Sequence, residues 1–219
     1  MSKDGKLAWG FLGMSFLSFC GLGLEGLIMF EIEPRLYGAE VNAWSESQYI
    51  MHWIFTCIVW IIVGALLLVL TKKKMKFDPL SIKSSVKLLP AILSFVLFLG
   101  MLIISYLGWN GLKILKELNN LGLARFIFQY IYYVVETLLV ILIIVFAQKA
   151  GELWFKNPLI PYGGIFVALT WGLVHMLTKG DVLTGIIVAI GGLIFGSMYI
   201  LMGKDLRKAF PLICLAFIL

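Results

Sequence analysis

The sequence predicts an all-α fold: a polytopic integral membrane helix bundle of about seven transmembrane helices in a single membrane domain. Three observations predict it. Of the 219 residues 61% are hydrophobic and only 14% are charged, too few charges to cover a water-soluble domain of this length. The apolar residues fall into blocks of roughly 20, the length at which a helix crosses the hydrocarbon core. The connecting segments, finally, divide their lysines and arginines unevenly between the two sides that such a topology creates.

In chain order the spans are read at Leu7–Phe30, Tyr49–Thr71, Leu88–Trp109, Phe126–Gln148, Leu159–Leu177 and Val182–Met202, with a shorter seventh at Leu206–Leu219. The first is too long for a signal-peptide core and no small-residue cleavage site follows it, so it is read as an anchor. With the N-terminus inside, the inner segments carry Lys3, Lys6, six lysines between Lys72 and Lys87, Lys149, Lys156, Lys204, Arg207 and Lys208. The outer segments keep only Arg35, Lys113, Lys116, Arg125 and Lys179, and the first outer loop is acidic. The N-terminus is therefore expected in the cytoplasm and the C-terminus outside. This asymmetry, facing anionic inner-leaflet lipid, accounts for the net charge of +6 without a nucleic-acid partner.

Between the spans lie two connections with a texture of their own. "KKKMKFDPLSIKSSVK", Lys72 to Lys87, contains the turn signal Asp78-Pro79 and reads as a loop or short amphipathic helix hugging the inner surface. "NGLKILKELNNLGLAR", Asn110 to Arg125, spaces its leucines among polar residues and reads as an outer interfacial helix, ended by Asn119-Asn120 and Gly122. Residues 1–125 thus form a three-span N-terminal part, and residues 126–219 a four-helix core. Within that core, Gly185, Ala189, Gly192 and Gly196 follow at steps of four, three and four. They form one small-residue face on which another helix packs closely. Cys20, Cys57 and Cys214 all fall inside spans, lack zinc-site spacing, and read as small apolar residues.

Polar groups inside the spans are few. Glu136, in "YYVVETLLVIL", lies eleven residues into its span, about 16 Å deep at ~1.5 Å per residue. There an acidic side chain costs roughly 2.5–3.5 kcal/mol, so it needs a partner or a task. Gln129, Tyr132 and Tyr133 share its helix face and are expected to line a cavity with it, together with Trp171. On the next span, His175 closes "WGLVH"; a glutamate and a histidine on successive helices can activate water, one as base and the other as ligand or proton partner. Glu25 and His52, near the outer ends of spans one and two, are read as structural or interfacial. Serine-nucleophile, zincin and nucleotide-binding signatures do not occur.

The order of these features resembles the CAAX protease and bacteriocin-processing family of intramembrane proteases. That family carries Glu-Glu-x-x-x-Arg, then aromatic-x-x-x-His, then a late His-x-x-x-Asn/Asp. Here the second motif stands as Trp171-Gly-Leu-Val-His175, and a Gly-rich helix and short last helix follow it. The resemblance covers about Phe128 to Leu219. Its first motif keeps Glu136 but has Thr137 for the second Glu and Ile141 for Arg; the last has Ile213 for His and Phe217 for Asn/Asp. The resemblance implies Glu136 and His175 as catalytic positions, with the motif losses arguing for a catalytically degenerate member. Such a member is expected to bind a peptide or membrane-protein partner, as in bacteriocin immunity or regulation. An active Glu/His-dependent endopeptidase is the alternative, and only there is a divalent metal such as zinc expected. A small transporter or transporter subunit is the third reading, although no inverted repeat is visible.

Overall fold

The computed structural model of the protein describes residues 2–219, and among them every regular element is helical. Helix α1, Lys3–Leu27, starts at Ser2, whose hydroxyl accepts the Gly5 N–H (3.1 Å), with Asp4 in its first turn. A π-helical turn, Ile28–Ile32, joins it to α2, Glu33–Tyr37. A capping box between Ser45 and Gln48 opens α3, Glu46–Met75. Helix α4 covers Leu88–Gly108 and α5 Lys113–Phe155. The segment Tyr162–Lys179 is divided into α6 (Tyr162–Val167), a second π turn (Ala168–Gly172) and α7 (Leu173–Lys179). Helices α8, Val182–Leu201, and α9, Leu206–Ile218, complete the chain.

Five helical stretches are long and apolar enough to cross a membrane: α1 continued through α2, then α3, α4, α5 and α8. The expected fifth and seventh spans differ from these. One is broken by the π turn, and the other, α9, has only 13 residues and contains Pro211. The 43-residue α5 absorbs both the expected outer interfacial helix and the fourth span. Asn119-Asn120 do not end the interfacial part. Gly122 breaks it, with φ 73° and ψ 166°, a backbone region that only glycine occupies without strain.

Successive helices run antiparallel between a lysine-rich end, where Lys156 meets Asp4, Lys204 meets Glu152 and Ser84 meets Asp205, and a distal end, where His52 meets Glu25 and Ser105 meets Leu219. Helix α5 is the axis. From Leu139 to Gln148 every side chain is buried, as expected for a helix apolar all round. Its neighbours are α1, α3, α6 and α9. The Ser15 hydroxyl of α1 donates to the Ile143 carbonyl (2.8 Å), tying α1 to the middle of α5. Gln148 holds α6, donating to the Ile160 carbonyl (3.0 Å) and accepting the Gly163 N–H (3.1 Å). Helix α4 stands at the periphery, where Ser94 is its one buried residue. Cys57 and Cys214 are buried, whereas Cys20 lies on the outer surface of α1.

At the lysine-rich end, Asp205 fastens the expected surface-hugging loop to the α8–α9 turn. Its carboxylate caps α9 through the Arg207 N–H (3.1 Å), pairs with the Arg207 guanidinium (2.6 Å) and accepts the Ser84 N–H (3.3 Å). Hydrogen bonding to that guanidinium holds Asp205 well below the usual carboxylate range. A depressed carboxylate contributes stability that is fully present above the unfolded value, about 3.9, and is lost as pH falls through the folded value. Asp205→Asn is therefore expected to melt several degrees below the parent at pH 7 in detergent micelles. Below about pH 4 the gap narrows, because the unfolded parent chain then takes up a proton that the folded carboxylate still refuses, and it closes only as pH falls through the folded value.

Candidate functional site

The small residues of α8 decide where Trp171 lies. A Cβ built on Gly196 would come within 2.3 Å of Gly164 Cα, one on Gly192 within 3.0 Å of Ala168 N, and one on Gly185 within 1.8 Å of a Met176 side-chain carbon. Ala189 meets Gly172 in the same way, so all four small residues face the α6–α7 segment. That segment lies against α5 as well, with Gly163 on the Ile144 carbonyl. The antiparallel register brings Trp171 level with Glu136. Its indole N–H donates to Glu136 Oε1 at 3.2 Å.

His175 therefore stands about one turn, ~5.4 Å, nearer the distal end than Glu136. The two are not hydrogen-bonded to each other; Trp171 touches both. Trp171 and His175 rings pack edge to face with centroids 4.6 Å apart, and His175 Nδ1 lies 2.7 Å from the Trp171 carbonyl oxygen. A carbonyl only accepts, so Nδ1 carries the proton, and in the neutral ring Nε2 keeps its lone pair. Phe217 of α9 closes the group, its ring 5.6 Å from that of Trp171 and 5.9 Å from that of Tyr133. The charged groups whose fields act on Glu136 are Glu25, Lys113 and Lys179. The last carbonyls of α9 find partners nearby: Lys113 Nζ donates to Phe217 O (3.1 Å) and the Ser105 hydroxyl to Leu219 O (3.1 Å).

The polar strip of α5 serves other carboxylates. Tyr132 donates to Glu25 Oε1 on α1 (2.6 Å), and Tyr133 donates to Glu117 Oε1 (2.8 Å). Gln129 donates to the same Glu117 oxygen (3.3 Å) and to the Tyr133 hydroxyl. Tyr132 is buried and Gln129 and Tyr133 half-buried, so these three meet Glu25 and Glu117 while Trp171 alone of the expected lining binds Glu136. Glu117 is buried, because the Gly122 break folds the Lys113–Leu121 segment back over α5. In the sequence it looks like part of the polar face of an interfacial helix, and nothing local marks it.

The pair Glu25 and His52 acquires a third member, Glu33. His52 Nδ1 lies 2.6 Å from Glu33 Oε2, and Nε2 lies 3.6 Å from Glu25 Oε1. In an unbroken α-helix residues 25 and 33 would point about 80° apart. The π turn between them takes up one extra residue, leaving them about 20° apart and on one face. Sequence reasoning assigned Glu33 to an acidic outer loop, since a π turn leaves no residue signature. His52 and Glu33 are each 2% exposed at the side chain, and Glu25 is 30% exposed.

No three His, Cys, Asp or Glu side chains among the described residues are grouped so as to hold a metal ion. No family model, curated protein or solved structure matches the chain.

Proposed function

We propose that the chain is a CAAX-protease-like membrane protein, catalytically degenerate, that holds a peptide or a membrane-protein segment in the manner of a bacteriocin-immunity or regulatory factor. The observation that carries this reading is the meeting of three distant stretches at Trp171. Glu136, the aromatic-x-x-x-His segment and Phe217 of the last helix come together there, as the resemblance requires of its three motifs. The chemistry around them has become apolar. Thr137 spends its hydroxyl on the Tyr133 carbonyl of its own helix (2.7 Å), and Ile141 and Ile213 are buried. Phe217 puts a phenyl ring where an oxyanion donor would stand, and loss of one such donor costs roughly 2.7–4 kcal/mol of transition-state stabilisation.

The same reading adds the broken Tyr162–Lys179 segment and α9 to the five long spans. Seven crossings result, with the N-terminus in the cytoplasm, the lysine-rich end inside and the C-terminus outside. A retained endopeptidase is the second reading. It rests on His175 Nε2, whose lone pair is free in the neutral ring, and on Glu136 one turn away. Zinc or another divalent metal belongs to that reading alone.

The test uses the full chain in lipid nanodiscs with a panel of synthetic membrane-proximal peptides. Saturable binding without cleavage, weakened at least tenfold in Glu136→Gln, is the expected result. Cleavage that stops in Glu136→Gln moves the assignment to the endopeptidase. Solute uptake into proteoliposomes, with no peptide binding, moves it to transport.

A further inference from the structure

The Glu33–His52–Glu25 group is not used by the partner-binding reading, and its charge does not balance. Two carboxylates face one imidazole, and their ion pairs among the described residues are with His52 alone; neighbouring Glu31 takes Arg35 instead. Even with His52 as the imidazolium, one negative charge is left over. Tyr37 donates to Glu33 Oε1 (3.3 Å) and Tyr132 to Glu25 Oε1 (2.6 Å), which solvates the carboxylates without neutralising them. At the edge of a low-dielectric interior an uncompensated charge is costly. The three groups are not arranged to hold a metal ion, whereas a proton needs only a chain of acceptors, in which the Glu33–His52 hydrogen bond is made and the His52–Glu25 link stands at 3.6 Å.

That path has direction. Glu33 lies on α2 at the distal end, His52 next to it, and Glu25 beyond His52, where Tyr132 links it to α5 one turn from Glu136. The charge on Glu25 acts on Tyr132, on Glu136, on Cys57 of α3 and on His175 of α7; Lys179 of α7 acts on Glu136 and His175, and Lys113 on Glu136. We propose that Glu33, His52 and Glu25 form a proton-exchange site that shares one proton and, through its charge, sets the protonation of Glu136. A proton entering at Glu33 Oε2 passes to His52 Nδ1, and the ring releases its Nε2 proton to Glu25 Oε1 as the 3.6 Å gap closes. The imidazole returns to its neutral form, Glu25 becomes the acid, and no other bond changes. The site also latches α2 to α3, so its proton holds the π turn in register.

Infrared difference spectra of the full chain in lipid nanodiscs, titrated with pH, test this. Glu136 is identified as the carboxylic C=O band that Glu136→Gln removes. Glu33→Gln takes one negative charge from the site, whereas His52→Gln removes the ring that brings the shared proton to Glu25 and so leaves Glu25, the member linked through Tyr132 toward Glu136, more negative. The Glu136 midpoint is therefore expected to move in opposite senses in the two variants, by roughly one pH unit each, the scale of a nearby charge. An unchanged midpoint in both, or a shift of the same sign in both, overturns the proposal. Circular dichroism establishes folding first. Should His52→Gln not fold, Glu33→Gln, which keeps the hydrogen-bonding shape, decides alone, and an unmoved midpoint there ends the proposal. Peptide binding is read separately, so the two readings fail independently.

Discussion

Gly196→Ala is expected to destabilise the bundle by roughly 3 kcal/mol or more, at the upper end of overpacking costs. A Cβ at that position would lie 2.3 Å from both Cα and N of Gly164. Those are backbone atoms of a packed helix, so no rotamer change relieves the clash and α8 must move away from α6. The movement is transmitted along the whole small-residue face to Gly172 and the π turn, and hence to the Trp171–Glu136 bond. Gly23→Ala is the contrast. Nothing lies within 4 Å of its Cβ, and replacing a mid-helix glycine gains about 0.8–1 kcal/mol of helix propensity. Thermal melts in detergent, followed by tryptophan fluorescence, should show the two alanines shifting the midpoint in opposite directions. Equal midpoints would mean that α8 does not pack where it is described.

The features legible in the sequence were those carried by local pattern. Apolar block length marked the long helices, the glycine steps marked the face of α8 that meets α6–α7, and Gly122 marked a break. The features that escaped depend on pairs far apart in the chain. Tyr132 looked like a partner for Glu136 because four residues separate them, yet its hydroxyl reaches Glu25, 107 residues away. Glu33 and His52 are on different helices, and they meet only because a π turn shifts the first helix by one residue. Periodicity assumes an unbroken helix, so it misplaces every side chain beyond such a turn. The second π turn contains Trp171 itself, which nonetheless meets Glu136. Glu136 and His175 stand about one turn apart along their helices, and Trp171 spans that difference.

Replacing Glu136 and Trp171 together is expected to stabilise the protein, and the single replacements show why. Glu136→Leu removes an intramembrane carboxyl whose placement costs roughly 2.5–3.5 kcal/mol. It also leaves the indole N–H of Trp171 without its acceptor, a loss of about 1–3 kcal/mol. The two nearly cancel, so the single variant should melt close to the parent. Trp171→Phe alone strips the carboxylate of its one donor and should destabilise by a similar 1–3 kcal/mol. In Glu136→Leu/Trp171→Phe neither orphan remains, and the pair should exceed the parent by about 2–3 kcal/mol. The non-additivity of the cycle then measures the bond itself. A double variant that is more stable and no longer binds peptide would mean that Glu136 is kept at the expense of stability, as expected of a working group. A double variant that is less stable than the parent would make Glu136 a structural residue, and the site would have to be sought around Glu25 and His52.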